Sequence, residues 1–203
     1  MKSLSLNEPH MIVMVGLPGS GKSHFASRFS STFNAPCVSY EDIQIAITGG
    51  NPSYSRDEIK LTGELAAMQL DSLLITGKTI IVDGGSATAT ERRDLARKAK
   101  TAGYKTLFIW VQTDEATAKQ RVSKASSKQR LTVEQYELLS KRFTPPTEGE
   151  KVTVISGKHT YATQAKTVLK RLTEGRAEQA SISNSTQVLD RSPKTPGRRL
   201  TIL

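Results

Sequence analysis

Cysteine, histidine and long apolar runs are scarce in this chain of 203 residues, and each shortage excludes a class of protein. Cys37 is the only cysteine, which excludes a disulfide-stapled domain and a zinc site built on cysteines. His10, His24 and His159 are dispersed, so we expect no histidine metal site and no Ser-His-Asp triad. The longest apolar runs reach about five residues, whereas a membrane-spanning helix needs about 20. We therefore expect a cytoplasmic protein in a reducing compartment, without a membrane segment or a signal peptide.

Acidic residues are outnumbered by basic ones, and the imbalance lies in one part of the chain. The sequence has 29 Lys plus Arg against 19 Asp plus Glu, a net charge of +10. The first 90 residues carry 6 basic and 8 acidic side chains, so the whole excess of positive charge lies beyond residue 90. Such an excess suits a nucleic-acid partner, a basic lid over a phosphate-rich ligand, or a solvated surface.

Short apolar runs alternate with longer amphipathic segments. The runs Met11–Val15, Thr79–Val82, Thr106–Val111 and Val152–Ile155 are continuous and rich in β-branched residues, which is typical of strands covered by helices on both faces. Capping-box spacings predict three helix starts between them, at Ser55 with Glu58, Thr88 with Glu91, and Thr132 with Gln135. The alternation predicts βαβ units and an α/β fold with a mostly parallel sheet of about five strands.

The composition changes at both ends of the predicted domain. Residues 1–10 read as an N-terminal extension, and residues 11–174 as one α/β domain. Residues 175–203 contain no aromatic side chain and are rich in serine, so they cannot bury enough apolar area to offset the entropy cost of ordering. We expect this C-terminal tail to be disordered.

The segment Gly16–Ser23 matches the phosphate-binding pattern G-x-x-x-x-G-K-[ST] at every fixed position. A predicted strand precedes it and a predicted helix, from about Gly21 to Ser31, follows it, which is the context that this motif requires. Backbone N–H groups of such a turn surround the phosphates of ATP, Lys22 neutralises γ-phosphate charge, and the Ser23 hydroxyl binds Mg²⁺. The predicted phosphate-binding residues are Gly16, Pro18, Gly19, Ser20, Gly21, Lys22 and Ser23.

This turn, together with an acidic segment after the predicted second strand, resembles the P-loop kinases related to phage polynucleotide kinase and to zeta-type toxins. The resemblance covers about residues 11–173. It implies a P-loop NTPase fold in three α/β/α layers, ATP and Mg²⁺ as cofactors, a basic helical lid and γ-phosphoryl transfer to a hydroxyl group.

In that family the acidic segment supplies the general base and an arginine that holds the acceptor. The corresponding stretch is Ser39–Gln44, and this register gives the base role to Glu41, with Asp42 as a close competitor. We expect the other acid of the pair to cap a helix that begins near Ile43. Gln44 stands where the family has arginine, and an amide cannot make the charged fork that binds a phosphate. An acceptor phosphate at this point is therefore in doubt.

Asp83 follows the predicted strand Thr79–Val82 and, in the resembling kinases, an acid here lies on the acceptor pocket. An acid at the carboxyl end of a central strand faces the crevice where open α/β sheets bind ligands, and it can also hold Mg²⁺. The alternative is that Asp83 only caps the following turn. Arg92 and Arg93 come next, and we expect a solvated helix start with Arg93 as the better inward candidate.

The predicted lid lies at about 121–131. The stretch Arg121–Arg130 contains four cations and no acid, and the resemblance assigns Arg121, and less directly Arg130, to the charge that develops on the transferred phosphoryl group. A solvated helix and loop is the alternative. Two later segments also resemble the family: Arg142–Glu150, and Ser156–Lys158, which in related kinases edges the adenine.

The function predicted from the sequence is an ATP- and Mg²⁺-dependent kinase that acts on a hydroxyl acceptor. Its catalytic candidates are Lys22, Glu41, Asp42, Asp83, Arg121 and Arg130; Arg121 also contacts ATP, and Ser23 with Asp83 holds the metal. A nucleic-acid 5′-hydroxyl is one candidate acceptor. The alternatives are a small-molecule or toxin-type nucleotide-sugar kinase, and a non-catalytic NTP-binding regulator.

Overall fold

A computed structural model of the chain describes residue 6 and residues 8–125 and 130–188, with side chains as far as residue 174. The strands are β1 (His10–Val15), β2 (Cys37–Ser39), β3 (Ile80–Asp83), β4 (Lys105–Gln112) and β5 (Val152–Ser156). The helices are α1 (Lys22–Phe33), α2 (Tyr40–Ile47), α3 (Arg56–Leu74), α4 (Ala89–Thr101), α5 (Glu115–Ser123), α6 (Val133–Arg142) and α7 (Tyr161–Val188).

The five strands form one parallel sheet in the order β2-β3-β1-β4-β5. The first strand lies at its centre because Met11 pairs with Ile80 of β3 and with Thr106 of β4. Parallel strands need crossovers, and the helices between them supply these crossovers. The prediction of a P-loop α/β fold with about five parallel strands is confirmed.

Alternating side chains of β1 enter two separate cores, as the period of two in a strand requires. Ile12 and Met14 pack with Phe25 and Phe29 of α1 and with Val168 of α7. Full burial of one such side chain contributes about 1.5–3 kcal/mol. The opposite face of the sheet packs against α3 and α4. The sheet therefore lies between two helical layers, and its central strands are covered on both faces. Both faces of the central strand are thus anchored, which fixes the turn that follows it.

The helix after β2 begins earlier than the sequence predicts. Its first residue is Tyr40, and its cap is Ser39, whose Oγ accepts a hydrogen bond from the Asp42 N–H at 3.1 Å. The expected start near Ile43 with an acid as the cap is therefore wrong. Serine is as good a cap as aspartate, and it frees both acids of this segment from the capping role.

Two predicted regions extend into residues that the structure does not describe. Helix α7 runs to Val188, past position 174, where the sequence places the end of the domain. The rest of the predicted tail, 189–203, and residues 126–129 of the predicted lid lie outside the described residues. Within the described part, no helix is long and apolar enough to cross a membrane.

Candidate functional site

A cavity of about 810 Å³ opens at the carboxyl ends of β1, β2 and β3, and the predicted site residues surround it. Its lining contains most of the phosphate-binding turn, both acids of α2, and the predicted lid residue Arg121. Asp83, at the end of β3, completes the acidic part. Ser20 is fully buried within the turn, and Arg130 is exposed and does not line this cavity. The fold therefore brings together every predicted site residue except these two.

Close packing explains the glycines of the turn at two positions. A Cβ atom on Gly19 would lie 2.3 Å from the Ala118 carbonyl oxygen, and one on Gly16 would lie 2.6 Å from the Val111 carbonyl oxygen. Both residues also have positive φ angles, which side chains disfavour. Helix α1 begins at Lys22, directly after the left-handed Gly21. The N–H groups of the turn and the helix N-terminus together form an anion-binding concavity.

Lys22 bridges the turn and the acids. Its Nζ donates a hydrogen bond to the Leu17 carbonyl at 2.7 Å, which fixes the side chain across the loop. Burial lowers the pKa of this ammonium group, and the nearby carboxylates of Asp83 and Glu41 oppose that shift. A cation placed between a phosphate-binding turn and two carboxylates suits the charge balance of a phosphoryl-transfer site.

Two carboxylates converge on the Ser23 hydroxyl. Its Oγ donates to the Glu41 Oε2 at 3.5 Å, and Asp83 lies close enough for Ser23 to act on its pKa. Asp83 is 5% exposed. Burial raises the pKa of Asp83 against the opposing effects of Lys22 and Ser23, and Asp42 adds to the rise. Burial likewise raises the pKa of Glu41, with further contributions from Asp83 and Asp42. This site therefore disfavours the ionised forms of both acids and gains from a cation.

The donor set of this cluster fits a small hard cation. Ser23, Glu41 and Asp83 offer only oxygen atoms, the ligands that Mg²⁺ prefers. Among the described residues, no group of three or more His, Cys, Asp or Glu side chains could hold a metal ion by itself. Mg²⁺ in kinases typically uses one or two carboxylates and the phosphates of the nucleotide, so a partial protein site agrees with that pattern.

The two acids of α2 differ in their surroundings. Glu41 is half-buried and contacts Ser23, whereas Asp42 is exposed. Both line the cavity. The position of Glu41 beside the Lys22 and Asp83 side chains agrees better with a role at the reacting phosphate. The choice of Glu41 as the base stays a prediction.

Arg121 connects the phosphate-binding turn to the loop after the last strand. Its Nη2 donates a hydrogen bond to the Gly157 carbonyl at 3.0 Å, and its Nη1 donates one to the Ser20 carbonyl at 3.4 Å. Gly157 is so close that a Cβ there would lie 2.3 Å from the same Ser20 oxygen. The predicted adenine-edge segment, 156–158, therefore lies beside the phosphate-binding turn. Its contact with adenine stays a prediction.

Sequence reasoning missed the role of Arg92, and the expectation for this pair of arginines is wrong. Arg92 is 1% exposed and forms a two-pronged ion pair with Glu150, with Nε–Oε2 and Nη2–Oε1 distances of 2.6 and 2.8 Å. Its Nη1 donates to the carbonyls of Ser86 and Thr144. Arg93 is exposed.

The sequence did contain a signal for this burial. Arg92 lies three residues before Leu95 and seven before Ala99, and these three are the buried residues of α4. The Thr88–Glu91 capping box, which the structure confirms, fixes the phase of the helix and could have assigned Arg92 to the inner face. The sequence alone favours a solvated Arg92, because the partner of its charge, Glu150, lies 58 residues away along the chain.

Known proteins resemble the chain in sequence and in structure. A family model described as an AAA domain, AAA_33, matches residues 11–146. A shikimate kinase from Zymomonas mobilis subsp. mobilis is 31% identical over 136 residues, which cover 63% of this chain and 71% of that protein.

Solved kinase structures share the fold. A gluconokinase from Sinorhizobium meliloti 1021 has a TM-score of 0.61 at 14% identity and covers 86% of this chain and 97% of its own. An APS kinase from Mycobacterium tuberculosis, in complex with AMPPNP and APS, has a TM-score of 0.61 at 18% identity and covers 82% and 98%. At 14% and 18% identity, the structural similarity establishes the fold only. The family follows from the AAA_33 match and the shikimate kinase.

Proposed function

We propose that this chain, which belongs to the AAA domain family AAA_33 and is an ATP-dependent P-loop kinase, phosphorylates a hydroxyl group of a small molecule. One observation carries the proposal: Lys22, Ser23, Glu41 and Asp83 converge beside the phosphate-binding turn in one cavity. Phosphoryl transfer needs mainly positioning and electrostatic stabilisation, and this arrangement offers both.

The donor side of the proposed reaction uses the turn and two cations. Backbone N–H groups of the turn hold the phosphates of ATP, and Lys22 neutralises charge on the γ-phosphate. Arg121 stabilises the charge that develops on the transferred group, and Arg130, which lies outside the cavity, stays a predicted second cation of the lid. Ser23 and Asp83 would hold Mg²⁺, which would neutralise phosphate charge when bound.

On the acceptor side, Glu41 takes the proton of the attacking hydroxyl, with Asp42 as the alternative base. Its raised pKa makes Glu41 a better proton acceptor once it is ionised, because a base works best when its pKa approaches the working pH. The nearby Lys22 favours that ionised form.

Small molecules are the favoured acceptor class. Shikimate kinase and APS kinase, by their names, act on small molecules, and these comparisons give no support to a nucleic-acid acceptor. The comparisons likewise give no support to the finer resemblance to polynucleotide kinase or zeta toxins. A kinase relative weighs against a purely regulatory role. We place the enzyme in the cytoplasm, where ATP is plentiful and Cys37 stays reduced.

The proposal is tested by ADP formation from ATP and Mg²⁺ in the presence of a panel of hydroxyl compounds. Lys22→Ala should lower the turnover of ATP at least about 100-fold, since it removes a phosphate-binding cation. Glu41→Gln should lower kcat by about 10²–10⁴-fold, the usual contribution of a general base.

The matched control is Glu64→Gln, which removes an exposed glutamate on α3 and should leave turnover unchanged. If Asp42→Asn carries the large loss and Glu41→Gln does not, Asp42 is the base. If the double variant Glu41→Gln, Asp42→Asn keeps full turnover, neither acid is the base and the proposed reaction loses its proton acceptor.

A further inference from the structure

The wall of the cavity that α2 and the α2–α3 connection form is the part available to an acceptor. It contains Tyr40, Asp42, Gln44 and Tyr54, next to Glu41. The charges and hydrogen bonds of this wall bear directly on what can bind there.

Gln44 is locked into the protein. It is 9% exposed, and its Nε2 donates to the Glu58 Oε1 at 2.6 Å. Glu58 also accepts hydrogen bonds from the Ser53 N–H at 2.9 Å, the Ser53 hydroxyl at 2.6 Å and the Tyr54 N–H at 3.3 Å. These hydrogen bonds outweigh burial and lower the pKa of Glu58, so it is ionised and fully engaged. The network shapes the connection and engages one of the two Nε2 hydrogens of Gln44, and an amide offers an anion no positive charge.

Two phenol groups line the same wall. Tyr54 has a φ of 57°, a left-handed conformation that costs energy for a non-glycine residue and that the Glu58 network holds in place. Burial, with Glu41 and Glu58 nearby, raises the pKa of Tyr54 to about 12, so its hydroxyl remains a donor. The Tyr40 ring lies against Gly84 and Gly85, where added Cβ atoms would come within 2.5 Å of the Tyr40 Cβ and 2.4 Å of its hydroxyl oxygen.

The wall formed by α2 and the α2–α3 connection, residues 40–55, contains no Lys or Arg. The arginine and lysine side chains on the rest of the described lining lie on other elements. Lys22 and Arg121 donate to carbonyls of the phosphate-binding turn, beside the proposed site of the ATP phosphates. Arg28 lies 4.5 Å above the centre of the Tyr161 ring. The Arg142 guanidinium is paired with Glu91. A carboxylate or phosphate on the acceptor would thus meet the acids of α2 without a cation on the same wall to offset the repulsion.

We propose that the acceptor is an uncharged polyhydroxyl compound of the sugar or polyol type, whose hydroxyl groups are bound by Tyr40, Tyr54 and Asp42. Phenol and carboxylate groups together accept from and donate to neighbouring hydroxyls, which suits such a ligand. This inference rests on the proposed kinase activity, since it concerns the acceptor of that reaction. It departs from acceptors such as APS, the ligand in one of the similar structures, which carry negative charge.

Matched acceptor pairs test the inference. ADP formation is measured with glucose against gluconate, glycerol against glycerate, and glycerol against glycerol 3-phosphate, each over the background rate in water. At least one uncharged member should raise the rate, and the anionic partner should be at least about 10-fold less effective. Preference for an anionic member, or no stimulation by any uncharged one, overturns the inference.

A conservative variant tests the wall itself. Tyr54→Phe removes one hydroxyl and should raise the KM for the preferred polyol about 5- to 10-fold, with the KM for ATP unchanged. Tyr104→Phe is the control, because this tyrosine donates to the Leu74 carbonyl and does not line the cavity. An unchanged polyol KM in Tyr54→Phe contradicts the binding role.

The Lys22→Ala variant separates failure of the acceptor inference from failure of the proposed function. If Lys22→Ala leaves ATP turnover intact, the proposed function fails. If Lys22→Ala abolishes turnover while anionic acceptors give the higher rates with the unaltered protein, the acceptor inference alone fails.

Discussion

At the scale of single residues, the most distinctive feature is a pair of acids beside the Ser23 hydroxyl, the half-buried Glu41 and the buried Asp83. Glu41 and Asp83 both have raised pKa values because burial disfavours their ionised forms, and each lies near another carboxylate. Such perturbed acids are typical of functional sites. A base must be ionised to accept a proton, so the raised pKa has a direct consequence for activity.

We predict that kcat/KM for ATP turnover falls on the acid side at a pH above the ordinary pKa of glutamate. The sign follows because protonation of Glu41 removes the base, and its pKa in the folded protein is raised. A pH–rate profile of the free enzyme measures this limb. Glu64→Gln should keep the limb and Glu41→Gln should lose it; an acid limb at or below the ordinary glutamate pKa contradicts the assignment.

The positions of the site residues were predictable where a local pattern or the resemblance carries them. The turn Gly16–Ser23 follows from its spacing, Asp83 from the end of an apolar run, and Glu41 from the resemblance. Arg92 was not predicted, because its burial depends on a partner far away in the chain. The Gln44–Glu58 network was missed for a related reason: Glu58 was read as half of a capping box, whereas its carboxylate turns to Gln44 and Ser53. Its N–H does bind the Ser55 cap as expected.

At the scale of elements, one buried ion pair connects three segments around the acceptor side. Arg92 on α4 binds Glu150 before β5, and it also binds carbonyls of the turn after β3 and of the segment after α6. The Thr144 N–H donates to the Ala87 carbonyl at 2.9 Å and reinforces the same junction. The turn that follows Asp83 is therefore held by α4 and by the segment after α6.

We predict that Arg92→Met lowers the free energy of unfolding by about 3 kcal/mol, since removing one partner leaves a carboxylate and the carbonyls of Ser86 and Thr144 without this donor. Urea unfolding followed by circular dichroism measures the change. Arg93→Met is the matched control, because the neighbouring side chain is exposed, and it should change stability by less than about 0.5 kcal/mol. Equal effects of the two variants would show that the ion pair contributes nothing net.

Strands were the easiest elements to predict, because a strand covered on both faces is a continuous apolar run. The four predicted runs match β1, β3, β4 and β5 to within about one residue at each end. β2 has only three residues, too few for a clear pattern, and the start of α2 was misplaced with it. The position of a short strand depends on the strand that it pairs with, and this pairing cannot be read from the sequence.

At the scale of the whole molecule, the P-loop is fixed by segments from the far half of the chain. Thr113, after β4, donates to the Ser20 carbonyl at 2.9 Å, and Arg121 of α5 donates to the same oxygen. Gly157, after β5, packs against both Thr113 and Ser20. Part of the positive charge beyond residue 90 thus belongs to the nucleotide side, which weakens the case for nucleic acid made from net charge alone.

We predict that Gly157→Ala weakens ATP binding about 10-fold while the fold persists. Its Cβ would lie 2.1 Å from the Thr113 Oγ1 and 2.3 Å from the Ser20 carbonyl oxygen, so the loop has to move away from the P-loop. Isothermal titration with a non-hydrolysable ATP analogue gives the Kd. Gly149→Ala is the control, because a Cβ there meets nothing within 4 Å. Unchanged affinity in Gly157→Ala would mean that this loop does not support the nucleotide site.

The central place of the first strand has a consequence for how the protein is made. Met11–Val15 leaves the ribosome before any other strand, yet its two neighbours in the sheet are Ile80–Asp83 and Lys105–Gln112. At about 5–20 residues per second, synthesis of the intervening hundred or so residues takes about 5–20 s. Until Ile80–Asp83 emerges, five residues that end up completely buried have neither neighbouring strand to pair with. We expect early collapse onto α1 to shield part of this strand until β3, and then β4, completes the centre of the sheet.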